Sequence, residues 1–411
     1  MTKHYDGLET RSAAERQQAL AEALPRQIAH ARTHSPHYAE TLAHIEPTKV
    51  VDTAELAKLP IVSKSVLGEL QRSRPPLGGI NTVPVGEFAR ILQSAGPLYG
   101  GEARCTDYWR LARGMYAAGF RRGDLIHNGF TYHFAPGAYM IDRGAAALGC
   151  AMFPAGPSQT ELQVRAMLDL QPTGYAGTPS FLGILLDKAK DMGEPVRSLC
   201  KGIVSGEPLT AALKQQFEEH QIEVRQFYAT GDIGMIAYET AACEGLIVDE
   251  GVIVEIVRPG SGEPVPDGEV GEVVVTNFNR EYPLIRFATG DLSVILPGHC
   301  PTGRTNSRIK GWMGRANQST KVRGLFVHPS QIYEIAARHA ELGRVRLLVR
   351  RDEGRDSITL QAEVDSLPEG LEPALVESIR TICKLRGAVE FLAPGQLPND
   401  GKIIDDQRPL E

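Results

Sequence analysis

The chain has 411 residues, of which 42% are hydrophobic and 23% charged, and this composition is typical of a globular protein large enough for two domains. The formal net charge of -6, without a cluster of lysine or arginine, argues against a nucleic acid partner. No apolar run approaches the roughly 18 residues that cross a bilayer, and no signal sequence is recognisable, so we expect a cytoplasmic protein without a membrane partner.

The first hundred residues are predicted to be mainly helical. The segment "SAAERQQALAEALPRQIAHARTHS" repeats apolar residues at a spacing of three and four, and Ser12 stands where an N-cap belongs. The region ends with "ILQSAGPLYGGEA", which is typical of a strand followed by a glycine-rich loop that approaches phosphate. The stretch has no lysine, and its only hydroxyls belong to Ser94 and Tyr99.

Residues 120–232 alternate between short strands and amphipathic helices. Strands are predicted in "GDLIHNGFTY", "GCAMFPAG", "PTGYAG", "CKGIVSG" and "EVRQFYAT", and helices in "QTELQVRAMLDL", "TPSFLGILLDKAKDMG" and "TAALKQQFEEH". Thr178 would cap the second of these helices. This order predicts an α/β fold with a parallel sheet. The segments "SGEPLT" and "YATGDIG" leave the carboxyl ends of two strands, where such sheets bind ligands, so we expect them side by side.

The rest of the chain is predicted to form two further parts. Beyond residue 245, "VIVEIV", "GEVVVTNF" and "DLSVIL" predict an antiparallel β subdomain. In the tail, strands at 321–327, 344–350, 357–364 and 388–392 and helices at 329–339 and 372–385 follow the order βαββαβ. That order predicts a small ferredoxin-like C-terminal domain.

Three stretches carry a resemblance to a known family. "YPLIRFATGDL" (282–292), "RIKGWMGRANQSTKVRGLFVHPSQI" (308–332) and "LPNDGK" (397–402) closely resemble signature segments of the adenylate-forming acyl-CoA synthetases, and of their phenylacetate-CoA ligase branch in particular. "SGEPLT", "YATGDIG", "PTGYAGTPSFL" and "LPIVSKSVL" extend the resemblance over nearly the whole chain. It implies that a carboxylate attacks the α-phosphate of ATP to give an acyl adenylate and pyrophosphate, and that a thiol, usually of coenzyme A, then displaces AMP.

The resemblance also implies a domain organisation. An N-terminal AMP-binding domain would cover residues 1–316, and a mobile C-terminal domain would cover residues 317–411. The small domain would turn between the two steps about Ala316, Asn317 and Gln318, because such hinge motions are absorbed by a few residues.

Several residues match nucleotide-binding positions of the family. The resemblance implies that Asp291 accepts hydrogen bonds from both ribose hydroxyls and that Tyr228 stacks on adenine. Glu207 would line the purine, although its carboxylate would equally suit a cap of the helix that follows. For Arg308 and Arg323, surface ion pairing is the alternative to nucleotide binding. The remaining nucleotide-binding candidates are Ser94, Gly96, Gly206, Pro208, Ala229, Thr230, Arg308 and Arg323.

Two charged residues match the family's catalytic positions. Lys402 corresponds to the lysine that the small domain brings to the reacting carboxylate and α-phosphate, where a cation stabilises the transition state; the alternative is a solvated lysine in the tail. Asp232 stands where the family has a glutamate that helps to hold Mg²⁺. Its carboxylate suits that hard cation, and helix capping is the alternative.

The substrate and metal expectations also depend on the resemblance. Tyr132, His133 and Phe134 are expected to form an aromatic wall for the acyl group of an aromatic, phenylacetate-like acid, with core packing as the alternative. Some family members carry a cysteine and histidine cluster that would suit zinc. Cys243 and Cys300 remain here with His299, but further donors are missing, so no zinc is expected.

The glycine-rich stretch leaves two functions open. Pro97 and Leu98 replace family hydroxyls, while Gly100 and Gly101 remain, so backbone amides would hold the phosphates, with charge from Mg²⁺, Lys402 and Arg104. The first function is an ATP-dependent ligase that joins a carboxylic acid to coenzyme A, and Lys402 favours it. The second is an ATP-independent acyl transferase acting between coenzyme A and another thiol or an acyl carrier protein. A homodimer is compatible with either function.

Overall fold

The computed structural model describes residues 3–94, 96–316, 318, 320–327, 329–352, 355–400 and 402–408. The helices of these residues are α1 (Ala13–His34), α2 (Pro36–Thr41), α3 (Thr53–Leu56), α4 (Lys64–Ser73), α5 (Leu111–Ala117), α6 (Gly137–Leu148), α7 (Thr160–Leu170), α8 (Pro179–Asp191), α9 (Ala211–Glu219), α10 (Pro329–Arg338) and α11 (Leu371–Cys383). None of these described helices is long and apolar enough to span a membrane.

The described residues also form the strands β1 to β21. They are β1 (Val62–Ser63), β2 (Arg90–Ser94), β3 (Leu98–Glu102), β4 (Leu125–Asn128), β5 (Ala151–Pro154), β6 (Gly174–Gly177), β7 (Lys201–Val204), β8 (Glu223–Thr230), β9 (Gly234–Glu239), β10 (Leu246–Val248), β11 (Val252–Val257), β12 (Gly271–Asn277), β13 (Phe287–Ser293), β14 (Ile295–Leu296), β15 (Arg308–Ile309), β16 (Thr320–Val322), β17 (Leu325–Val327), β18 (Leu342–Asp352), β19 (Arg355–Val364), β20 (Ala388–Leu392) and β21 (Ile404–Asp406).

Local sequence signals explain where the main helices begin. The Ser12 hydroxyl accepts a hydrogen bond from the Glu15 amide, and the Glu15 side chain bonds back to the Ser12 amide, which forms a capping box at the start of α1. Thr178 caps α8 through one bond, because its hydroxyl accepts a hydrogen bond from the amide of Phe181. The predicted caps at Ser12 and Thr178 are therefore confirmed.

The main sheet has nine strands in the order β14-β15-β10-β9-β8-β7-β6-β4-β5. Strands β8, β7, β6, β4 and β5 pair in parallel in that order, so the predicted parallel sheet is confirmed. Strands β9, β10, β14 and β15 continue it in antiparallel pairing. Neighbouring strand residues serve opposite faces: Ile203 belongs to the hydrophobic cluster with α5 and α6, and Val204 to the cluster with α7, α8 and α9.

The chain forms two compact units. The first consists of Met1–Glu255, Val274–Thr289 and Ile295–Trp312, and the second of Ile256–Val273, Gly290–Val294 and Met313–Glu411. A further sheet has the strand order β1-β13-β12-β11. The division into a domain of residues 1–316 and a mobile domain of residues 317–411 stays a prediction.

The small C-terminal sheet differs in one strand from the predicted ferredoxin-like arrangement. Its order is β20-β19-β18-β21, so β21 pairs with β18 and supplies the fourth strand. The predicted strand at 321–327 is wrong as a single strand, because β16 and β17 form a separate hairpin. The two residues of its turn, Arg323 and Gly324, have φ of 48° and 85°, which is the geometry of a two-residue hairpin turn.

Candidate active site

The carboxyl ends of β7 and β8 lie next to each other. The two strands pair in parallel up to Val204 and Gln226, so "SGEPLT" and "YATGDIG" leave adjacent strands as predicted. Gly206 has φ of +89°, a conformation that glycine adopts without strain, and Pro208 is exposed nearby. The Glu207 carboxylate accepts a hydrogen bond of 2.7 Å from the amide of Ser180 in the first turn of α8.

The predicted capping alternative for Glu207 is therefore wrong about the helix. Glu207 bonds to the start of α8, which precedes it in sequence, because β6 and β7 are parallel neighbours and bring the two loops together. The helix that follows, α9, is capped by Thr210. The carboxylate of Glu207 is thus fixed at the rim of the sheet.

Tyr228 lies near the end of β8, and its hydroxyl is 3.2 Å from the hydroxyl oxygen of Thr289, to which it donates. The ring is buried, and the β8–β9 register shifts between Tyr228 and Ala229. Such bulges redirect side chains and are frequent beside functional sites. Just beyond, Thr230 accepts a hydrogen bond from the amide of Ile233, which closes the turn before β9.

Asp232 stands in that turn and is 6% exposed. The helix-capping alternative is wrong, because the turn leads into strand β9. The Ser94 hydroxyl donates to Asp232 Oδ1 at 2.8 Å, and Lys64 Nζ lies 3.6 Å from Oδ2. Burial raises the pKa of Asp232, although the Lys64 ammonium and the Ser94 hydroxyl act in the opposite direction.

One carboxylate oxygen of this residue is available to a cation. Within the described chain, Asp232 Oδ2 is buried and accepts no hydrogen bond. A buried oxygen in that state suits a hard cation such as Mg²⁺, which proteins often hold through one or two carboxylates together with substrate phosphates. The described residues contain no group of three or more histidine, cysteine, aspartate or glutamate side chains arranged for a metal ion.

The stretch that was expected to be a glycine-rich loop is a β-hairpin. Strands β2 and β3 pair from Arg90 and Glu102 to Ser94 and Leu98. Gly100 and Gly101 belong to β3, and a Cβ on Gly101 would lie 2.4 Å from the Phe88 ring. The loop prediction is therefore wrong for both glycines, because Gly101 is needed for close packing rather than for an approach to phosphate.

The turn of this hairpin offers little to a phosphate group. Gly96 has φ of +120° and open space around the position of a Cβ, whereas Pro97 has no amide hydrogen to donate. The hairpin meets the sheet edge at Gly231, where a Cβ would lie 2.7 Å from Ser94 Cβ. Glycine at position 231 thus lets Ser94 reach Asp232. Arg104 is exposed and donates to the carbonyl oxygen of Phe88 at 3.3 Å.

In the second unit, Asp291 lies inside β13. The sequence predicted a strand that starts at Asp291, so that prediction is wrong. Asp291 Oδ1 accepts a hydrogen bond of 2.7 Å from Arg315 Nη1, and the residue is 6% exposed. Gly290 before it has φ of +76°, and its amide donates to Glu272 at 3.1 Å. The carboxylate of Asp291 is therefore held by an arginine beside an unusual bend in the strand.

Lys402 lies shortly before β21, also in the second unit. Its side chain is 48% exposed, and Nζ is 2.8 Å from Asp405 Oδ1. Gln318 Oε1 accepts hydrogen bonds of 3.0 Å from the amides of Ile403 and Ile404, which holds the segment after Lys402. The amide of Ala316 donates to the carbonyl oxygen of Gly290, and Asn317, the remaining hinge candidate, lies outside the described residues.

The two arginine candidates have structural partners. The guanidinium of Arg308 is buried and donates to the carbonyl oxygens of Glu244 and Pro297 at 3.0 and 2.8 Å. Arg323, in the exposed hairpin turn, donates from Nε to the carbonyl oxygen of Asp356 at 2.8 Å. Both contacts favour the structural alternative over a role in phosphate or ribose binding.

The expected aromatic wall is not a packed cluster. The Tyr132 hydroxyl donates to Asp142 at 2.7 Å and accepts from the Asn128 amide group at 2.9 Å. Burial and the Asp142 carboxylate raise the pKa of Tyr132. His133 is exposed, and Phe134 is 76% exposed in the loop before α6, so core packing does not explain Phe134. The predicted acyl-binding role of the three residues stays a prediction.

The cysteine and histidine residues considered for zinc do not form a cluster of three donors in the described structure. Cys300 is buried, with its sulfur 3.0 Å from Thr302 Oγ1, and Cys243 is exposed. The expectation that no zinc is bound stays a prediction.

Lys64 was not identified as a site residue from the sequence. It is the first residue of α4 and follows the cap Ser63. The available signal was a lysine directly after a short apolar strand and a capping serine, in "LPIVSK". Its contact with Asp232 joins distant parts of the chain, so local patterns did not indicate it.

Comparison with known proteins places this architecture in a family. Residues 116–279 match the family model described as AMP-binding enzyme. The chain is 30% identical over 426 residues to phenylacetate-coenzyme A ligase of Pseudomonas putida, covering 97% of this chain and 95% of that protein. The corresponding ligase of Aromatoleum evansii is 29% identical over 421 residues, covering 95% and 94%.

Solved structures agree with the sequence comparison. An open conformation of 2-hydroxyisobutyryl-CoA ligase in complex with 2-HIB-AMP and CoA matches with a TM-score of 0.73 and 25% identity, over 97% of this chain and 92% of that one. The thioesterification state of the same ligase, also with 2-HIB-AMP and CoA, matches with a TM-score of 0.72 and 25% identity, over 99% and 93%. The chain therefore belongs to the phenylacetate-CoA ligase branch of the adenylate-forming enzymes and is an ATP-dependent, AMP-forming acid–CoA ligase.

Proposed function

We propose that this ligase activates an aromatic, phenylacetate-like carboxylic acid and transfers its acyl group to coenzyme A. The observation that carries this proposal is the likeness to phenylacetate-coenzyme A ligases over 97% of the chain. The exposed ring of Phe134 in the loop after β4 offers apolar surface to such an acid.

In the first half-reaction, a carboxylate oxygen of the acid attacks the α-phosphorus of ATP, and pyrophosphate leaves with the electrons of the broken P–O bond. Lys402 stabilises the negative charge that develops on the α-phosphate oxygens. The Lys402 side chain in its ion pair with Asp405 is 48% exposed, so little free energy is needed to release the ammonium. In the second half-reaction, the thiolate of coenzyme A attacks the acyl carbonyl, and AMP leaves.

The nucleoside is held by the rim of the parallel sheet and by β13. Tyr228 stacks on adenine, with its hydroxyl fixed by Thr289. The backbone from Gly206 to Pro208 lines the purine, since Gly206 allows the turn that brings it close. Asp291 accepts hydrogen bonds from the ribose hydroxyls, in a geometry fixed by Arg315.

Asp232 is the proposed ligand for Mg²⁺. Its orphaned Oδ2 fits the role, and the Ser94 hydroxyl orients the carboxylate by binding Oδ1. A bound Mg²⁺ neutralises charge on the phosphate oxygens of ATP.

Product analysis tests the proposal. We expect the protein, incubated with Mg-ATP, coenzyme A and a panel of arylacetic, benzoic and fatty acids, to release AMP and pyrophosphate fastest with an arylacetic acid. A fatty acid that is turned over faster would contradict the aromatic substrate. Acyl transfer from an acyl-CoA to another thiol without AMP would support the transferase alternative.

Three further expectations belong to the same proposal. The cytoplasm, which supplies ATP and coenzyme A, is the proposed compartment.

Replacing coenzyme A with an acyl carrier protein tests the identity of the acceptor. AMP release with a carrier protein alone would contradict coenzyme A as the sole acceptor. Light scattering of the purified protein tests the predicted homodimer.

A further inference from the structure

We infer that Lys64 binds the pyrophosphate portion of ATP and takes the place of the lysine that the glycine-rich stretch lacks. This inference rests on the proposed function, because it names a further binding residue for the same nucleotide. It gives the N-terminal helix α4 a direct part in substrate binding. Lys64 carries no such assignment from the sequence resemblance.

The first argument is the shortage of donors in the hairpin. Residues 91–103 contain no lysine or arginine, and strands β2 and β3 pair as far as Ser94 and Leu98. Alternate backbone groups of these strands are committed to the ladder, the outward amides of Gln93 and Tyr99 donate to Phe134 and Gln71, and Pro97 has no amide hydrogen. A pyrophosphate group carries several negative charges, so a side-chain cation from another element is required to compensate them.

The second argument is the position and state of Lys64. Its Nζ lies 3.6 Å from Asp232 Oδ2, and Ser94 Oγ lies 2.8 Å from Oδ1 of the same carboxylate. The ammonium therefore stands beside the turn of the hairpin, in the first unit. At 3.6 Å the contact is a long ion pair, and because an ammonium has three N–H donors, it can serve another acceptor as well.

The third argument is the buried oxygen that Lys64 faces. Asp232 Oδ2 accepts no hydrogen bond from the described residues although it is buried. An ionised carboxylate in that state is costly unless a cation compensates it. Lys64, whose side chain is 27% exposed, supplies this compensation and still reaches solvent. When a metal–nucleotide complex binds Asp232, the ammonium becomes available to the phosphate oxygens.

The fourth argument is that α4 is fixed against the hairpin. Gln71, two turns after Lys64, donates from Nε2 to the Tyr99 carbonyl oxygen at 2.6 Å and accepts from the Tyr99 amide at 2.9 Å. Between them, a Cβ on Gly68 would lie 3.4 Å from Leu98. Residues 64, 68 and 71 share one helix face, so the face that contacts the hairpin also presents Lys64. The positive end of the helix dipole lies at the same end.

Binding measurements with Lys64→Gln test the inference. Inorganic pyrophosphate, ATP and AMP would each be titrated by calorimetry in the presence of Mg²⁺. We expect the affinities for ATP and pyrophosphate to fall about tenfold to a hundredfold, since a charge-assisted contact is lost. The affinity for AMP should change less than about twofold, because AMP lacks the β- and γ-phosphates. Lys64→Arg should restore most of the ATP affinity.

Two controls separate this role from a structural one. Lys58→Gln removes a side chain that is 67% exposed and paired with Glu55 in the same N-terminal region, and it should leave all three affinities unchanged. If Lys64→Gln does not fold, the double variant Lys64→Gln/Asp232→Asn removes the uncompensated buried charge. In that background, AMP should still bind, while pyrophosphate affinity should be lower than in Asp232→Asn alone.

An equal loss of AMP and ATP affinity in Lys64→Gln would overturn the inference, since Lys64 would then only stabilise the site. Unchanged ATP and pyrophosphate affinities would overturn it as well. These outcomes differ from a failure of the proposed function, in which the wild-type protein releases no AMP or pyrophosphate with any aromatic acid. The titrations do not depend on the identity of the acid.

Discussion

The carboxyl edge of the parallel sheet and the β2–β3 hairpin are both rich in glycine, but the glycines of the two regions have different structural roles. At the sheet edge, Gly206 adopts a φ of +89°, and its role is conformational. In the hairpin, Gly101 has an ordinary strand conformation, and its role is to make room for the Phe88 ring. A glycine of the first kind shapes a binding loop, whereas one of the second kind only allows close packing.

This difference has a consequence for nucleotide binding. We propose that the sheet edge offers backbone turns and the Tyr228 ring to a nucleoside, as the family resemblance implies. The aliphatic hydroxyl of the hairpin, from Ser94, bonds to Asp232. We therefore propose that binding of the nucleoside depends on loops and strands, whereas binding of the phosphates depends on side chains from other elements, namely Lys64, Asp232 and Lys402.

The largest expected effect concerns Lys402. Lys402→Ala should lower the rate of acyl-adenylate formation about 100- to 1,000-fold, since one preorganised charge at the reacting phosphate is lost. Thioester formation from a supplied acyl adenylate should keep its rate, because the small domain is proposed to turn between the two steps and to take Lys402 away from the reacting groups. Pyrophosphate release and thiolysis would be measured separately in single-turnover experiments.

The control for Lys402 is its own ion-pair partner. Asp405→Asn breaks the contact of 2.8 Å but keeps the lysine, so adenylate formation should remain within about twofold of the wild-type rate. If both half-reactions slow equally in Lys402→Ala, the lysine supports the fold of the tail rather than the first half-reaction.

A smaller effect is expected at the ribose. Asp291→Asn should weaken AMP binding about tenfold, because a charged acceptor for hydroxyl groups becomes a neutral amide. Asp365→Asn, at an exposed position after β19, provides the matched control and should not change AMP affinity. Calorimetric titration with AMP measures both. An unchanged affinity in Asp291→Asn would mean that the carboxylate serves only its contact with Arg315.

The sequence predicted those parts of the fold that depend on local patterns. The alternation of short apolar segments and amphipathic helices indicated the parallel strands, and Ser12 and Thr178 marked two helix starts. The antiparallel continuation through β9, β10, β14 and β15 was missed, because the choice of a strand's partner depends on distant segments. A hairpin turn in "VRGL" could have been predicted from the sequence, since Arg323 and Gly324 connect two apolar stretches.

The site, like the fold, was predictable only where local patterns and sheet topology determine it. The juxtaposition of "SGEPLT" and "YATGDIG" followed from parallel topology, which places strand ends at one edge. The hairpin was mistaken for a loop because the reason for Gly101 is the ring of Phe88, and no pattern of glycines reveals that contact. Lys64 was missed because its partner, Asp232, comes from a different part of the chain.

The smallest expected effect tests how closely the hairpin and the sheet edge fit together. Gly231→Ala places a Cβ 2.7 Å from Ser94 Cβ and 3.4 Å from Pro136 Cγ, so the hairpin must shift. We expect the free energy of unfolding to fall by about 1–3 kcal/mol, the usual cost of overpacking. Gly86→Ala is the control, since a Cβ there meets no atom within 4 Å. Urea denaturation measures the change in each variant.

A double variant then identifies the contact responsible. Ser94→Gly removes the Cβ that Gly231→Ala would strike, so the double variant should be about 1 kcal/mol more stable than the sum of the single changes predicts. Strict additivity would mean that the hairpin does not rest on Gly231. Because Ser94 also orients Asp232, relief of the clash without recovery of ATP affinity in the double variant would separate the packing role of Ser94 from its role in holding the carboxylate.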